Sequence, residues 1–280
     1  MALIETEIIQ RGDKLTLRLR APDMPHVDIK LPLENKTQTY EAIIGRDVIH
    51  GVSCGVHVTA WIQQYLGRED VAMIYCDSDE HLRIIQVHTE DLPQWVEGNV
   101  REDDKTGYAY FSQILLINDT SVDHLNDKIS ENLGQPVEKP ISNRNFRPNI
   151  VIRTPKAFDE DKFKRVFIGT FEQETDLHSA TSALSNQRHI STISSDLENL
   201  VADEASVVLR KMKPCQRCAL TVVDPDLGKR RPDNEPLKTL RQFRLHPDFG
   251  NAPLFGINLA PERTGPINVG DLVFAVLDEN

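Results

Sequence analysis

The chain has 280 residues, of which 39% are hydrophobic and 27% are charged, a composition typical of a folded globular protein. Its formal net charge of −11 argues against sequence-independent binding to a nucleic-acid backbone. No window is long and apolar enough to cross a bilayer, and the first residues lack the features of a signal peptide. A soluble, cytosolic protein is therefore expected, and its four cysteines fit a reducing compartment.

The N-terminal third of the sequence is typical of β-structure with one helix. Strand-like runs at 2–9 and 15–20 flank a turn that contains glycine, and the alternation at 28–31 predicts another strand. Apolar residues then recur at helical spacing over 58–66, and Gly67 stands where a C-capping glycine belongs. This part of the chain predicts a hairpin, a third strand and a helix.

The middle of the chain alternates short strands with a second helix. Residues 71–75, 114–117 and 150–152 are predicted to be strands. Between the last two, Asn118 predicts the N-cap of a helix that Gly134 closes.

The last 120 residues are again rich in strands. These are predicted over 163–171, 207–209, 255–259 and 269–277. A run rich in serine and threonine over 174–206 is predicted to be a mobile insertion rather than core. Since there are no internal repeats, the elements predict an α+β, β-dominated protein with barrel-like sheets.

The most informative motif is Cys-Gln-Arg-Cys at Cys215–Cys218. A thiolate is a suitable ligand for a soft metal, and a neighbouring cation lowers the pKa of a thiol. A thioredoxin-type motif is disfavoured, because residues 220–223 predict a strand where that fold has a helix. A structural zinc site is disfavoured because no second Cys-x-x-Cys is present. From the spacing alone, inert structural cysteines are the commonest interpretation.

Basic residues are concentrated in and after this motif, although the whole chain is acidic. They are Arg217, Lys229, Arg230, Arg231, Lys238, Arg241 and Arg244. A short amphipathic helix is predicted from Glu235 to Phe243. Its cations either line a pocket for an anionic group or form a solvated face, and the sequence leaves both interpretations open.

Eight segments, spread in order over nearly the whole chain, form a specific combination, although each alone is a weak signal. They are Gly45–Asp47, the helix around Trp61, Asn145–Ile152, Cys215–Cys218, Val223–Asp226, Glu235–Leu240, Phe255–Gly256 and Val269–Asp271. Together they resemble the MOSC family of molybdenum-cofactor proteins, and within it the mitochondrial amidoxime-reducing component and its bacterial relatives. The resemblance implies a MOSC-type β-barrel over residues 111–280, after an N-terminal, barrel-like β-rich domain over residues 1–110.

The resemblance also implies a site and a reaction. Cys218 would be the catalytic residue and the protein ligand of the molybdenum in a molybdopterin cofactor. Arg147, Asn149 and Arg217 would contact the pterin and its phosphate, and Asn258 would line the metal pocket. The implied reaction is the two-electron reduction of small N-hydroxylated compounds, such as amidoximes and hydroxylamines. Electrons would come from a b-type cytochrome and a flavoprotein reductase.

Three departures from the family pattern weaken this transfer of site and reaction, and the first two motivate an alternative, a non-catalytic MOSC-like binding or carrier module. Two segments near the cofactor phosphate, at the start of relatives, have no counterpart here. The chain is therefore expected to be N-terminally truncated, without the anchor that holds mitochondrial members on the outer membrane. Tyr110 and Phe111 stand where relatives have small polar residues, and the run over 174–206 replaces a shorter segment. In a third hypothesis, Cys218 handles sulfur for the cofactor with a sulfurtransferase partner.

Overall fold

The computed structural model describes residues 1–34, 36–76, 81–85, 93, 96, 99–169, 191–192 and 195–278. The chain divides into two compact units. The first comprises Met1–Ile85, Lys105–Phe111 and Val223–Lys229, and the second comprises Gln86–Asp104, Ser112–Val222 and Arg230–Asn280. The domain assignment with a boundary after residue 110 stays a prediction.

The first unit consists of antiparallel strands and one helix. Its elements are β1 (Glu5–Arg11), β2 (Lys14–Arg20), β3 (Val27–Leu31), β4 (Thr39–Ile44), β5 (Asp47–Ser53), α1 (Val56–Leu66), β6 (Ile74–Tyr75), β7 (Arg83–Ile84) and β8 (Lys105–Thr106). Strands β1–β3 form one sheet, β4–β6 a second, and β7–β8 a two-stranded ladder. Val58 and Trp61 of α1 lie in one buried cluster with Leu19 and Ile29 of the first sheet.

Most local predictions for this unit are confirmed. Gly12 has a φ of +59° in the turn that joins β1 to β2, and Gly67 ends α1 in the left-handed conformation. The strand predicted over 71–75 is shorter than expected, because only Ile74 and Tyr75 pair with β5, which ends at Ser53.

The second unit is built on one seven-stranded sheet. Its elements are β9 (Ile114–Asn118), α2 (Asp119–Leu133), α3 (Asn143–Phe146), β10 (Ile150–Ile152), β11 (Phe163–Gly169), β12 (Ser191–Thr192), α4 (Ser195–Glu204), β13 (Val207–Gln216), α5 (Leu237–Phe243), β14 (Leu254–Arg263) and β15 (Leu272–Leu277). The strand order is β10-β9-β14-β13-β11-β15-β12, in a curled, half-barrel sheet. The predicted α+β, β-dominated fold class is confirmed.

Alternate residues of β9 lie in two different buried clusters of this unit, because successive side chains of a strand point to opposite faces. Leu116 lies in a cluster with Leu209 of β13. Ile117, the next residue, lies in a different cluster with Leu125 of α2 and Phe255 of β14. The sheet is therefore covered by buried side chains on both faces at β9.

The capping residues of α2 are those predicted from the sequence. The Asn118 side chain accepts a hydrogen bond from the Thr120 backbone N–H at 3.1 Å, and Gly134 ends the helix in the left-handed conformation. The last strand begins three residues later than predicted, because the Asp271 N–H bonds back to the Asn268 carbonyl in a turn.

The predicted insertion over 174–206 lies mostly outside the described residues. Within it, Ser195–Glu204 forms α4, and Val201 of that helix is buried against Phe167 and Phe274. None of the helices in the described part of the chain is long and apolar enough to span a bilayer.

Glu160 is a fully buried carboxylate in the 3-10 helix Asp159–Lys162. The Ser121 hydroxyl donates to it, with Oγ at 2.9 and 3.1 Å from the two carboxylate oxygens. Burial, with a smaller contribution from Asp161, raises the pKa of Glu160 from 4.5 to about 7. The folded state therefore favours the protonated carboxyl.

A carboxyl with a raised pKa in the folded state stabilises the fold below its unfolded pKa, and this contribution is lost as pH rises through the folded value. We expect E160Q to be more stable than the wild type at pH 8, by roughly 1–3 kcal/mol, with a smaller difference at pH 4.5. Urea unfolding at both pH values measures this. E138Q, at an exposed position, is the control; an E160Q difference independent of pH would contradict the prediction.

Gly256 lies where β14 approaches β9 closely. Its φ is +74°, and a Cβ at this position would lie 2.6 Å from the Leu116 carbonyl oxygen and 2.7 Å from the Ile117 side chain. We expect G256A to lower the free energy of unfolding by roughly 2–4 kcal/mol, because it combines backbone strain with overlap. Gly250 is the matched control.

The φ of Gly250 is +61°, and no atom lies within 4 Å of its Cβ position. G250A should therefore lose only the contribution of backbone strain, about 1–3 kcal/mol, and less than G256A. Thermal or denaturant unfolding compares the two variants, and equal losses would show that the close approach at Gly256 has no energetic effect.

Candidate functional site

The Cys-Gln-Arg-Cys motif lies where β13 leaves the sheet. β13 ends at Gln216, and the Arg217 N–H donates to the Pro253 carbonyl oxygen at 2.8 Å, directly before β14 begins. Both cysteines of the motif are free thiols, but Cys215 is half-buried whereas Cys218 is exposed. Cys218 is therefore the accessible thiol of the motif, just beyond the end of β13.

The segment after Cys218 is helical rather than extended. Ala219–Val222 forms a 3-10 helix, in which the Thr221 N–H and hydroxyl both donate to the Cys218 carbonyl oxygen, at 3.2 and 2.9 Å. The strand predicted over 220–223 is therefore wrong, because these two hydrogen bonds close a turn immediately after the thiol.

The Arg217 side chain is buried, with 7% of the residue exposed. Its Nη1 lies 3.0 Å from the Cys215 sulfur, and its Nη2 donates to the Phe146 carbonyl oxygen at 2.5 Å. The guanidinium carbon also lies 5.1 Å from the centroid of the Phe146 ring. Its Nε is buried without a hydrogen-bond partner within the described residues. Two of the three guanidinium nitrogens are thus already engaged by the protein.

Arg147 follows the short helix α3 and has an exposed side chain. Its backbone is left-handed, with a φ of +55°, a conformation that is uncommon for residues other than glycine. A capping box between Ser142 and Asn145 fixes the start of α3, and the Asn145 amide also donates to the Thr221 carbonyl oxygen at 3.3 Å. The Arg147 segment is therefore hydrogen-bonded to the segment that follows Cys218.

Asn149 and Asn258 lie in one row across the sheet. The Asn149 N–H donates to the Leu115 carbonyl oxygen, and its side-chain oxygen accepts from the Leu115 N–H, both at 2.9 Å. Leu115 is the register partner of Asn258, which in turn pairs with Lys213. Asn258 is buried, and its amide lies 3.4 Å from the Pro214 carbonyl oxygen. The two asparagines are thus two strand spacings apart, about 10 Å.

Lys213 is a site residue that the sequence reasoning missed. It is 5% exposed, its Nζ donates to the Gln216 side-chain oxygen at 3.0 Å, and it lies 6.0 Å from the centroid of the Phe249 ring. Burial lowers the pKa of Lys213, and the nearby Cys215 acts in the opposite direction. Lys213 shares its strand with Arg210 and Lys211, so its charge alone did not distinguish it in the sequence.

The contacts bring the predicted site residues together in two groups. Arg217 and Cys218 are hydrogen-bonded to the segment of Arg147, through Phe146 and through Thr221 with Asn145. Asn149 and Asn258 are joined through Leu115. In the described part of the chain, no cluster of three or more His, Cys, Asp or Glu side chains suits a metal ion.

The model of the MOSC domain matches residues 103–274, which is more than half of the chain. The chain belongs to the MOSC domain family. Similar proteins include mitochondrial amidoxime-reducing component 1 of Xenopus laevis, 29% identical over 268 residues that cover 93% of this chain and 63% of the relative. Mitochondrial amidoxime reducing component 2 of Homo sapiens is 28% identical over 268 residues, with 93% and 64% covered. The MOSC resemblance inferred from the motifs is confirmed.

The chain spans just under two thirds of the length of the curated relatives that it matches. The component 2 protein of Rattus norvegicus gives the same proportion, with 28% identity over 271 residues that cover 94% of this chain and 64% of the relative. The likeness therefore extends beyond the MOSC domain into the N-terminal part of this chain.

The different surroundings of the thiols in this MOSC protein predict an order of alkylation. Cys218 is exposed, Cys215 contacts Arg217, and burial raises the pKa of Cys54. With iodoacetamide at pH 7.5, Cys218 should react first, at least about tenfold faster than Cys54. Mass spectrometry of quenched samples measures the rates, with denatured protein as control. Faster labelling of Cys54 or Cys215 than of Cys218 would contradict this order.

Proposed function

We propose that this MOSC protein binds a molybdenum cofactor and reduces N-hydroxylated compounds such as amidoximes and hydroxylamines. The family match and the names of the relatives support this reaction class. The single structural observation that carries the proposal is the exposed Cys218 thiol, in a turn hydrogen-bonded to the segment of Arg147.

The chemistry of the side chains fits a molybdenum-pterin group. A thiolate is a suitable ligand for this metal, and no cluster of further ligands is present in the described residues. Among the described residues, Cys218 would therefore supply the protein ligand of the metal, beside the ligands that the pterin would supply. The exposed Arg147 guanidinium suits the anionic phosphate of the pterin. When bound, the cofactor would supply the two-electron couple that reduction of an N–OH group requires.

The other predicted residues would act mainly by shaping the site. Asn258 is buried in the sheet row beside Lys213, so it would line the floor of the metal pocket. Asn149 and Arg217 would orient the loops, because their polar atoms bond to Leu115, Cys215 and Phe146. The donor of electrons would be a b-type cytochrome served by a flavoprotein reductase, and the substrate a small molecule.

A second candidate function is that of a non-catalytic cofactor-binding or carrier module. The observation in its favour is that the Asn149 oxygen and two nitrogens of Arg217 already bond to protein groups. Of the three residues predicted to grip the pterin and phosphate, Arg147 alone has an exposed side chain with no hydrogen bond described. Each charge-assisted bond absent from the phosphate grip would weaken binding by about 1–3 kcal/mol.

Metal analysis of protein from a host that makes the cofactor tests both candidates. The wild type should contain about one molybdenum per chain and reduce benzamidoxime with a chemical electron donor, because Cys218 supplies the ligand. C218A should contain only background metal. C76A, which removes a thiol of the first unit, is the control and should match the wild type.

The outcomes separate the two candidates. A wild type that binds molybdenum without turnover under these conditions would favour the carrier module. A wild type as empty as C218A would overturn the proposal of a molybdenum site at Cys218.

A further inference from the structure

We infer that Cys215 and Arg217 are positioning residues that join the turn of Cys218 to the segment of Arg147. We call the contacts of Arg217 with Cys215 and with Phe146 the joint. Its importance for cofactor binding rests on the proposed function, whereas the joint itself involves only residues of this chain. The first cysteine of the motif would then act through Arg217 and not as a second metal ligand.

The Arg217 guanidinium makes a forked contact with two protein groups. One nitrogen contacts the Cys215 sulfur at 3.0 Å and the other donates to the Phe146 carbonyl oxygen at 2.5 Å. The planar guanidinium aims its nitrogens in fixed directions, which the single ammonium of a lysine cannot reproduce. Cys215 therefore sets the rotation of the fork, and the fork in turn holds the Phe146 carbonyl.

Phe146, whose carbonyl Arg217 holds, is itself fixed by packing. The Phe146 ring lies under the guanidinium and stacks on Phe255, with the ring centroids 4.1 Å apart and the planes 9° from parallel. Both rings are fully buried. The carbonyl that Arg217 holds comes directly before Arg147, whose positive φ needs support from its surroundings.

A second, separate link connects the turn of Cys218 with the segment of Arg147. The Asn145 amide donates to the Thr221 carbonyl oxygen, and Thr221 donates to the Cys218 carbonyl oxygen. One side-chain hydrogen bond holds the turn to the Arg147 segment at a single point. Two links at different points fix the orientation of Cys218 relative to Arg147.

Removal of the Cys215 sulfur would leave one guanidinium nitrogen of Arg217 without its partner. In C215A the buried Nη1 of Arg217 would have no acceptor at this point, and an unsatisfied buried donor is more costly than the loss of a typical hydrogen bond. In C215S a hydroxyl could accept in its place. If C215S behaves like the wild type and C215A does not, Cys215 acts as a hydrogen-bond acceptor. If the two variants behave alike, it does not.

Amide hydrogen exchange of the metal-free protein tests the joint without any cofactor. R217K and C215A should speed exchange in both 143–149 and 217–222, by on the order of tenfold, because opening of either segment then needs fewer broken contacts. C215S should remain closer to the wild type. R165K is the matched control, since Arg165 also uses its fork on partners in the second unit, Glu198 and Glu262.

The inference would be overturned if R217K and C215A speed exchange in the 217–222 segment alone. It would also be overturned if R165K speeds exchange in both segments as much as R217K does. If R217K does not fold, the comparison of C215A with C215S decides it: equal exchange in these two variants, whether like the wild type or faster, would also overturn it.

A second measurement links the joint to the cofactor. Molybdenum loss from loaded protein should be several-fold faster in R217K and C215A than in the wild type and R165K, because Cys218 and Arg147 would no longer be held together. If R217K and C215A speed exchange in both segments but the wild type never binds molybdenum, the joint is supported and the proposed function is overturned. Unchanged metal loss in both variants would overturn the positioning role toward the cofactor.

Discussion

The antiparallel pairing of β13 with β14 is the interaction on which the second unit depends. These two ten-residue strands are the longest elements of the sheet; β9 and β10 continue it beyond β14, and β11, β15 and β12 continue it beyond β13. The register is interrupted between Lys211 and Lys213 and again between Pro214 and Gln216. Such irregularities bend a strand and re-aim its side chains, and here they immediately precede the exposed thiol.

The loops of the site depend on the end of this pair for their positions. Arg217 bonds through its backbone to Pro253 and through its side chain to Phe146, so one residue connects β13, the start of β14 and α3. Phe255, at the start of β14, completes the connection by stacking on Phe146. The accessible thiol thus stands on a rigid base, although the turn that carries it lies outside the sheet.

Local signals made much of the fold predictable, because hairpin glycines, helix caps and apolar periodicity act between residues close in sequence. The β1–β2 hairpin and the Asn118 cap are examples. The prediction over 220–223 failed because hydrogen bonds to the Cys218 carbonyl overrode the strand preference of apolar residues. The links of Arg217 to Phe146 and of Asn145 to Thr221 join residues more than 70 positions apart, so no pattern in the sequence encodes them. The family resemblance implied a metal ligand in the motif, but not which side chains hold the motif in place.

The side-chain oxygen of Asn149 accepts the Leu115 N–H and so continues the backbone ladder at the point where β10 begins. Asn149 therefore belongs to the edge of the sheet and is also a candidate contact for the cofactor. Loss of function on its replacement would not distinguish a missing ligand contact from a frayed sheet edge. Arg147 is different, because its side chain is exposed and no hydrogen bond to it is described. Of Arg147 and Asn149, Arg147 is thus the residue whose replacement would test the proposed contact with an anionic ligand separately from the integrity of the sheet edge.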